Sequence, residues 1–169
     1  MSKKTILLTI SGPSLTGKSV FSEFLKPFNF EELVSETTRP IRQGEVPGKT
    51  YNYITVDEFK SKVANNEMLQ HNPVDANFYG LSYNSYQSVA GQGKNSYVVV
   101  APAGAKQIKE YCEKNNILCH QIFINNDLDL RLNRFLDRFK NDEKATASNY
   151  ANRLIGMLNV EEATWVAPA

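Results

Sequence analysis

A glycine-rich loop between a predicted strand and a predicted helix is the feature that most constrains the fold. Residues 12–19 read GPSLTGKS and match the pattern G-x-x-x-x-G-K-[ST]. The preceding run Thr5–Ser11 is typical of a strand buried on both faces of a parallel sheet. Lys18–Lys26 carries apolar side chains at helical spacing, and Pro27 ends it. The sequence therefore predicts an α/β fold with a nucleotide-phosphate site after its first strand.

The chemistry of phosphate binding explains the residue types in this loop. Glycines allow the tight turn that aims successive N–H groups at a phosphate, and the N-terminus of the following helix adds partial positive charge. The Lys18 ammonium is expected to bridge the β- and γ-phosphates, and the Ser19 hydroxyl to take one position on Mg²⁺. The residues predicted to bind the nucleotide are Gly12, Pro13, Ser14, Leu15, Thr16, Gly17, Lys18 and Ser19.

The composition is typical of one globular domain whose overall charge favours neither anionic nor cationic partners. The 169 residues include 19 Lys plus Arg and 18 Asp plus Glu, which gives a formal net charge of +1. This balance provides no general attraction to nucleic acid or to an anionic membrane, so neither is an expected partner. Apolar runs such as Ile6–Ile10 are far shorter than the roughly twenty residues of a membrane span. We expect a small-molecule substrate and a monomer or weak homodimer.

Cysteine usage and the first residues favour a cytoplasmic protein. Cys112 and Cys119 are seven residues apart and have no partners at zinc-binding spacing, so two reduced thiols are predicted. The first residues have a basic pair and a short apolar run but no small-residue cleavage site. Because that run leads directly into the glycine loop, we interpret it as the first strand and not as a signal peptide.

The remaining core elements are predicted from alternating apolar runs and helical patterns. Ser96–Ala101 and Leu118–Ile124 are buried-type strands, and a helix is expected over Ala103–Asn115 between them. Helices over Asp127–Phe139 and Ser148–Glu162 follow. This alternation is typical of parallel sheets with helical crossovers.

The stretch from about 31 to 93 differs, because prolines, glycines and asparagines interrupt it. Its pattern predicts short strands at Glu32–Glu36 and Tyr51–Thr55 and a helix over Val56–Asn66 started by Asp57. We interpret it as a small mixed insert on the core. The polar run Lys140–Thr146 between the last two helices is either a mobile flap or a plain solvated loop.

A cluster of arginines and tyrosines in this insert predicts a second phosphate site. Arg39 and Arg42 are three residues apart, with Pro40 stiffening the chain between them, and Tyr51 and Tyr79 follow. Two guanidinium groups can form a fork around one phosphate, and tyrosine hydroxyls add neutral donors. Such a site would hold a monophosphate as the acceptor of a phosphoryl group.

Taken together, these motifs resemble the guanylate kinase family. In chain order they read GPSLTGKS, SETTRPIRQGEVPGKTYNYITVDEF, NFYGLS, AGAKQIK, IFINNDLDLRLNRFLDR and ANRL, and the resemblance extends to about Trp165. It implies an ATP- and Mg²⁺-dependent nucleoside monophosphate kinase with a five-stranded parallel core sheet flanked by helices. The implied division is a core domain at 1–31 and 94–139, an NMP-binding insert at 32–93, a helical lid at 138–153, and a returning core helix with the C-terminal end at 154–169.

The resemblance also implies a role for individual residues. Arg39, Arg42, Tyr51 and Tyr79 would hold the acceptor phosphate, and Glu45 matches a position close to the acceptor. Charge on the transferred group would be neutralised by arginines on the lid side. The implied catalytic residues are Lys18, Arg39, Arg134, Arg138 and Arg153.

The sequence departs from the family pattern where the base is read. In that family a Glu and an Asp accept hydrogen bonds from guanine, and a Ser or Thr assists them. Here these positions carry Gln70, Ala101 and Leu81, and only Ser35 of the base-reading set remains. Losing two charge-assisted hydrogen bonds removes roughly 3–6 kcal/mol of guanine preference.

An altered base is the hypothesis that these replacements favour. The Gln70 amide offers one donor and one acceptor, which suits thymine, uracil or a modified base, and Ala101 with Leu81 leaves apolar room for a substituent. Asp75 is a candidate to replace a missing carboxylate, and His71 either faces the base or packs elsewhere. The predicted substrate-binding residues are Ser35, Arg39, Arg42, Glu45, Tyr51, Gln70, Tyr79 and Ala101.

A second departure concerns the metal. The family's D-x-D at the end of a core strand reads Val99-Val100-Ala101, so Ser19 would hold Mg²⁺ together with water and nucleotide oxygens alone. Leu15 stands where the family usually has Gly and is expected to crowd the loop. Phosphoryl transfer needs mainly positioning and charge neutralisation, so a kinase remains the first hypothesis.

Two other functions compete with the kinase. One is a binding module on the same fold that grips a phosphorylated or acidic partner, although the presence of Lys18 and Ser19 favours the enzyme. The other is a kinase that acts on a nucleotide within a polymer, which the near-neutral charge disfavours.

Overall fold

The computed structural model describes residues 5–42, 44–74, 76–141 and 147–157. The strands are β1 (Ile6–Ser11), β2 (Phe30–Glu32), β3 (Glu36–Thr37), β4 (Asn52–Tyr53), β5 (Met68–Val74), β6 (Asn77–Ser82), β7 (Asn95–Val99) and β8 (Leu118–Phe123). The helices are α1 (Lys18–Leu25), α2 (Val56–Ala64), α3 (Tyr83–Ala90), α4 (Pro102–Lys114), α5 (Leu128–Lys140) and α6 (Ala147–Ile155), with a 3₁₀ turn at Lys26–Phe28.

The core sheet is parallel, with strand order β2-β7-β1-β8. The α/β fold is thus confirmed, but the described residues contribute four strands to this sheet where five were expected. The alternation of strand and helix produces this topology, since a parallel neighbour requires a crossover. Because β1 lies in the centre, its carboxyl end and that of β7 open side by side at one edge of the sheet.

Apolar residues cover both faces of this sheet. On one face Leu7 and Val98 pack with Ile108 of α4, and on the other Leu8 and Ile10 pack with Leu25 of α1 and Tyr97. Each fully buried aliphatic side chain of this kind contributes about 1.5–3 kcal/mol. This packing holds the ends of β1 and β7 in fixed positions.

A second, mixed sheet has the order β4-β3-β6-β5. The predicted strand Glu32–Glu36 is wrong, because Phe30–Glu32 pairs with β7 in the core sheet and Glu36–Thr37 pairs with β4 and β6 in the second sheet. The pattern of alternation could not show that the chain passes from one sheet to the other within these few residues.

The helix of the second sheet begins one residue after Thr55. The Thr55 hydroxyl accepts from the backbone N–H of Glu58, and the Glu58 carboxylate accepts from the Thr55 N–H, which forms a capping box. The expectation that Asp57 starts this helix is therefore wrong. Asp57 lies in the first turn, where its negative charge complements the helix dipole.

Parts of the predicted lid and C-terminal region lie outside the described residues. These parts are 142–146 of the polar run Lys140–Thr146 and everything after Met157, which includes most of the expected stretch 154–169 and the end of the predicted helix Ser148–Glu162. Within the described residues, no helix has the length and apolar character needed to cross a membrane.

The turn after β1 generates a first prediction, because it tolerates no side chain at its first glycine. Gly12 has a φ of 147°, and a Cβ there would lie 2.0 Å from the carbonyl oxygen of Ile124. We expect Gly12→Ala to lower the free energy of unfolding by about 2–4 kcal/mol, since left-handed strain and overpacking add. Urea denaturation of the purified variant measures this loss.

The matched control is Gly93→Ala. Gly93 has a φ of 72° but no atom within 4 Å of a built Cβ, so only backbone strain of about 1–2 kcal/mol is expected. Equal losses in the two variants would contradict the steric argument.

Candidate functional site

The loop between β1 and α1 has the backbone conformation of an anion cradle. Gly12, Leu15 and Gly17 have φ values of 147°, 65° and 102°, and Gly17 is the N-cap of α1. Such turns direct backbone N–H groups inward, and the helix N-terminus adds positive potential. Glycine occupies two of these three positions, and it adopts a positive φ without strain.

The Lys18 ammonium is folded onto this loop. Its Nζ donates to the carbonyl oxygens of Gly12 and Pro13, each at 2.7 Å. The Thr16 hydroxyl donates to the Pro13 carbonyl at 2.9 Å, and the Asn126 amide donates to the Thr16 carbonyl at 2.7 Å. These bonds hold the loop closed and place a positive charge inside it.

Helix α5 places two arginines on the same loop. Arg131 Nε donates to the Ser14 carbonyl at 2.9 Å, and Arg134 Nη1 donates to the Leu15 carbonyl at 2.8 Å. Arg138 follows one turn later and lines a groove with Lys18 and Ser19. The predicted Arg134 and Arg138 therefore lie at the phosphate loop. The side chain of Arg153 lies outside the described residues.

Arg131 is a functional candidate that the sequence reasoning missed. It is 1% exposed, although an arginine is rarely buried unless its charge is paired or hydrogen-bonded. The signal available in the sequence was the spacing of Arg131, Arg134 and Arg138, because residues three and four apart share one face of a helix. Its contact with the loop depends on tertiary packing.

The Leu15 side chain, which was expected to crowd the loop, packs outward against other apolar residues. These form a cluster of Phe135 from α5, Tyr150 from α6 and Met157. Burial of apolar surface offsets the left-handed strain at this residue, which is of order 1–2 kcal/mol. The loop and the helices on its outer side are thereby packed as one unit.

The second candidate site is centred on Arg39, which is 7% exposed. Its Nη1 and Nη2 donate to Glu45 Oε2 and Oε1 at 2.7 and 2.6 Å, and Nη1 also donates to the Pro40 carbonyl at 2.8 Å. The paired carboxylate raises the pKa of Arg39, and the same bonds lower the pKa of Glu45 to about 2. Glu45 therefore orients the guanidinium of Arg39.

Aromatic side chains surround this ion pair. The guanidinium lies 5.3 Å from the ring centroid of Tyr51 and 5.7 Å from that of Tyr53, and the Tyr51 and Tyr79 rings pack edge to face at 5.8 Å. Burial raises the pKa of Tyr51, so its hydroxyl stays a protonated donor at neutral pH. Such contacts stabilise a cation by about 0.5–2 kcal/mol.

The structure brings Arg39, Tyr51 and Tyr79 together, as the sequence suggested. Arg42 is exposed, and its backbone N–H donates to Glu45 Oε2 at 2.8 Å. Tyr53 was missed by the sequence reasoning, and its hydroxyl donates to the same Glu45 oxygen at 2.8 Å. Whether Arg39 and Arg42 form one fork around a phosphate stays a prediction.

A small cleft of about 180 Å³ adjoins these tyrosines. Its lining includes Ser35, Tyr51, Gln70, Asn72, Tyr79 and the β7 end at Val99, Val100 and Ala101. Gln70 and Ala101 thus lie where the sequence suggested. The His71 side chain is exposed, and Asp75 lies outside the described residues.

The expected place of Leu81 in this cleft is wrong. Its side chain is 0% exposed and packs with Leu7, Leu69 and Val98 in the core. A register shift of β5 between Met68 and Gln70 accompanies this packing. Burial of the leucine in the core stabilises the fold, whereas the cleft gains no apolar room from it.

The cleft and the phosphate loop meet at neighbouring strand ends. Ile10 pairs with Val99, and the Val100 backbone N–H donates to the Ile10 carbonyl at 3.0 Å. The loop begins two residues after Ile10, and the cleft is lined by Val99, Val100 and Ala101. Crevices at the carboxyl ends of parallel strands, where the order reverses, are the common ligand sites of such sheets.

Few side chains at the candidate site could act as metal ligands. Among the described residues, no group of three His, Cys, Asp or Glu side chains is arranged to hold an ion. Ser19 is exposed at the mouth of the loop and supplies one hydroxyl. This fits Mg²⁺, which keeps several waters and is bound largely through nucleotide phosphates.

Comparisons with known proteins agree with this arrangement. Residues 2–160 match the family model described as guanylate kinase. The chain is 38% identical over 109 residues to a guanylate kinase of Clostridium tetani, covering 64% of this chain and 52% of that protein. It is 40% identical over 111 residues to a guanylate kinase of Clostridium acetobutylicum, covering 65% and 53%. The chain spans about half the length of these relatives.

A solved structure has the same fold. The chain is similar to the crystal structure of guanylate kinase from Anaplasma phagocytophilum, with a TM-score of 0.60 and 22% identity. The likeness covers 98% of this chain and 88% of that chain. At this identity it shows the fold alone.

The Arg39–Glu45 pair generates a second prediction, on pH dependence. Glu45 has an ordinary pKa of 4.5 and a pKa of about 2 beside Arg39, so its stabilising effect is full above pH 4.5 and is lost as the pH falls toward about 2. We expect Glu45→Gln to lower the melting temperature at pH 5–7. The difference from the unmodified protein should shrink below pH 4.5, as thermal unfolding across this range will show.

The control is Glu31→Gln, which removes a carboxylate from the exposed pair with Lys94. Exposed pairs contribute little, so this variant should melt close to the unmodified protein at every pH. A Glu45→Gln difference that stays constant down to pH 2.5 would contradict the assignment.

Proposed function

The chain belongs to the guanylate kinase family, and on this premise we propose that it is an ATP-dependent nucleoside monophosphate kinase. It transfers the γ-phosphoryl group of ATP to a monophosphate bound at the insert. The observation that carries the proposal is the glycine loop with Lys18 at the end of β1, next to a cleft at the end of β7 whose Tyr51 packs on Arg39.

The loop residues would bind the donor nucleotide. Backbone N–H groups of 14–19 would surround the β-phosphate, and Lys18 would shift from the loop carbonyls to the phosphate oxygens. Mg²⁺ bound at Ser19 would neutralise phosphate charge. Arg134 and Arg138 line the same groove as Lys18 and Ser19 and would neutralise phosphate charge there, and Arg153 is proposed to join them.

The insert residues would hold the acceptor. A guanidinium has five N–H donors, and Glu45 and Pro40 take three bonds from Arg39. The remaining donors, with Tyr51, Tyr79 and Arg42, are available to a monophosphate. Glu45 stops the guanidinium from rotating, and this preorganisation lowers the entropic cost of binding.

Little proton chemistry is required for this transfer. The transition state spreads charge over the equatorial phosphoryl oxygens, and catalysis comes from positioning and charge neutralisation. Lys18 and the α5 arginines supply positive charge from the donor side, and Arg39 supplies it from the acceptor side. Closure of the helical lid would exclude water and prevent hydrolysis of ATP.

The proposed acceptor is a ribo- or deoxyribonucleoside monophosphate for which guanine is not strongly preferred. Gln70 and Ala101 line the cleft in place of the two carboxylates expected from the family resemblance. The proposed location is the cytoplasm, as the reduced pair Cys112 and Cys119 suggests.

A binding module is the second candidate. It is favoured by the sparse metal site, because Val99 and Ala101 stand where two carboxylates were expected and the described residues form no acidic cluster. A module would bind phosphorylated ligands at Arg39 without transferring phosphate.

An assay of ADP release across a panel of monophosphates tests the kinase directly. We expect turnover with ATP, Mg²⁺ and at least one ribo- or deoxyribonucleoside monophosphate. Lys18→Met should lower kcat at least about a hundredfold, because it removes a charge that stabilises the transition state. Lys94→Met, at an exposed ion pair just before β7, is the control and should retain activity.

Two results would overturn the proposal. Failure of every monophosphate to raise ADP release, with ATP still bound, would support the module. Equal activity of Lys18→Met and the unmodified protein would show that the loop is not the catalytic centre.

A further inference from the structure

We infer that an anchored chain of side-chain amides makes the cleft beside Tyr51 and Tyr79 a hydrogen-bond-donor site. The cleft then selects a nucleoside monophosphate whose base edge carries at least as many hydrogen-bond acceptors as donors, and it disfavours guanine, whose edge carries two adjacent donors. This inference rests on the proposed function, because it requires the base of the acceptor to lie in this cleft.

The chain of amides begins at a main-chain donor. The backbone N–H of His71 donates to Gln107 Oε1 at 3.0 Å. A backbone N–H can only donate, so the oxygen of Gln107 must face it and Nε2 must point away. Gln107 Nε2 then donates to Asn72 Oδ1 at 3.1 Å. The orientation of the first amide is therefore set by the peptide backbone of β5.

The orientation of Gln107 also determines the orientation of the Gln70 amide, through Asn72. With Oδ1 turned toward Gln107, Asn72 directs Nδ2 to Gln70 Oε1 at 3.2 Å. Every amide in the series accepts a hydrogen bond through its oxygen and donates one through its nitrogen, so all the bonds run in the same direction. The series ends at Gln70 Nε2, which has no acceptor in the part of the chain that the structure describes.

The position of this terminal nitrogen gives it its selective effect. Gln70 is 6% exposed and lines the cleft, so Nε2 is reached only from the cleft side. A base that fills the cleft removes water from this donor, and the loss is compensated only when the base supplies an acceptor. Asn72 also lines the cleft and carries a second amide hydrogen beyond its bond to Gln70.

Helix α4 keeps the amides in place. Gln107 projects from α4 to β5, and Gly104 lies one turn earlier on the same helix. A Cβ at Gly104 would lie 3.2 Å from Gln70 Oε1 and 3.4 Å from Asn72 Nδ2. The absence of a side chain there lets the amide chain pass closely over the helix.

A cleft that presents hydrogen-bond donors discriminates between bases by the donors and acceptors on their edges. The Watson–Crick edge of guanine carries N1–H and the amino group side by side, two donors that would face amide donors, beside the single acceptor O6. The edges of uracil and thymine carry two carbonyl acceptors around one N3–H, that of cytosine carries the acceptors N3 and O2 beside one amino group, and that of adenine carries the acceptor N1 beside one amino group. A site that leaves buried polar groups unpaired rejects a ligand strongly, so guanine is the least favoured base.

Gln70 and Gln107 have different roles in this account. Gln70 is specificity-determining, because its nitrogen faces the base. Gln107 is a positioning residue, because it acts through Asn72 and Gln70. A change at Gln107 that reverses the amide chain should therefore change base preference without touching the ligand.

Binding of monophosphates by isothermal titration calorimetry tests the polarity of the cleft without relying on turnover. The probes are UMP, dTMP, CMP, AMP, GMP and dGMP, each titrated into the full chain. At least one of the first four should bind at least about tenfold more tightly than GMP and dGMP, since one unmatched buried hydrogen bond costs about 1.4 kcal/mol or more. The ranking among the first four identifies the acceptor group that is recognised.

Substitution at Gln107 tests the direction of the hydrogen bonds in the amide chain. In Gln107→Glu both oxygens accept, so Asn72 must turn Nδ2 toward residue 107 and Oδ1 toward Gln70. Gln70 then donates to Asn72 and presents Oε1 to the cleft. The dissociation constant for GMP should fall about tenfold, and that of the preferred monophosphate should rise by a similar factor. Gln107→Leu should reduce the difference in dissociation constant between GMP and the preferred monophosphate without reversing their order.

Lys106→Met is the matched control on the neighbouring exposed position of α4 and should leave the ranking unchanged. Preference for GMP or dGMP in the unmodified protein would overturn this inference while leaving the kinase proposal intact. Identical effects of Gln107→Glu and Gln107→Leu would also overturn it. Failure of every monophosphate to bind would overturn both the inference and the proposed function.

Discussion

The candidate site depends on cations that hydrogen bonds hold in place in the loop after β1 and in the loop after β3. Lys18 bonds to the carbonyl groups of the glycine loop after β1, and Arg131 and Arg134 reach the same loop from α5. Arg39 is held by Glu45 and packs on Tyr51, which lines the cleft at the end of β7. These cations are stable there because carbonyl oxygens and one carboxylate accept their hydrogen bonds. Phosphate oxygens would replace some of these partners.

Packing determines where these charges lie. Aliphatic residues on both faces of the core sheet hold β1 and β7 in register, and Leu15 joins the loop to the cluster of Phe135, Tyr150 and Met157. The amides of β5 are tied to α4 through Gln107. Each polar group of the site therefore projects from an element that the apolar core positions, which is the condition for a site preorganised for charge and base recognition.

The loop and the elements beside it were predictable because their signals are local. Glycines at fixed spacing, a β-favouring run and a helical pattern all lie within Thr5–Lys26. The alternation of strand and helix patterns predicted the α/β class, and the arginines and tyrosines of the insert predicted a cluster of Arg39, Tyr51 and Tyr79, which are neighbours in the structure.

Features that depend on tertiary packing were not predictable from local patterns. The buried Arg131, the orientation of Arg39 by Glu45 and the amide chain through Gln107 join residues from different elements or loops. Leu81 was misplaced because its side chain packs with core residues from other strands, a contact that local sequence patterns do not signal. The Thr55 cap was missed because Asp57 is also a residue that favours helix starts.

Binding of a bisubstrate analogue tests the central claim most directly. Such a molecule joins adenosine to a second nucleoside through five phosphates and occupies both anion sites only if they face each other across one phosphoryl group. The account predicts that calorimetry will find it bound at least about a hundredfold more tightly than ATP, because the second site is engaged within one molecule. An affinity equal to that of ATP would show that the two sites are not joined, and would contradict the account.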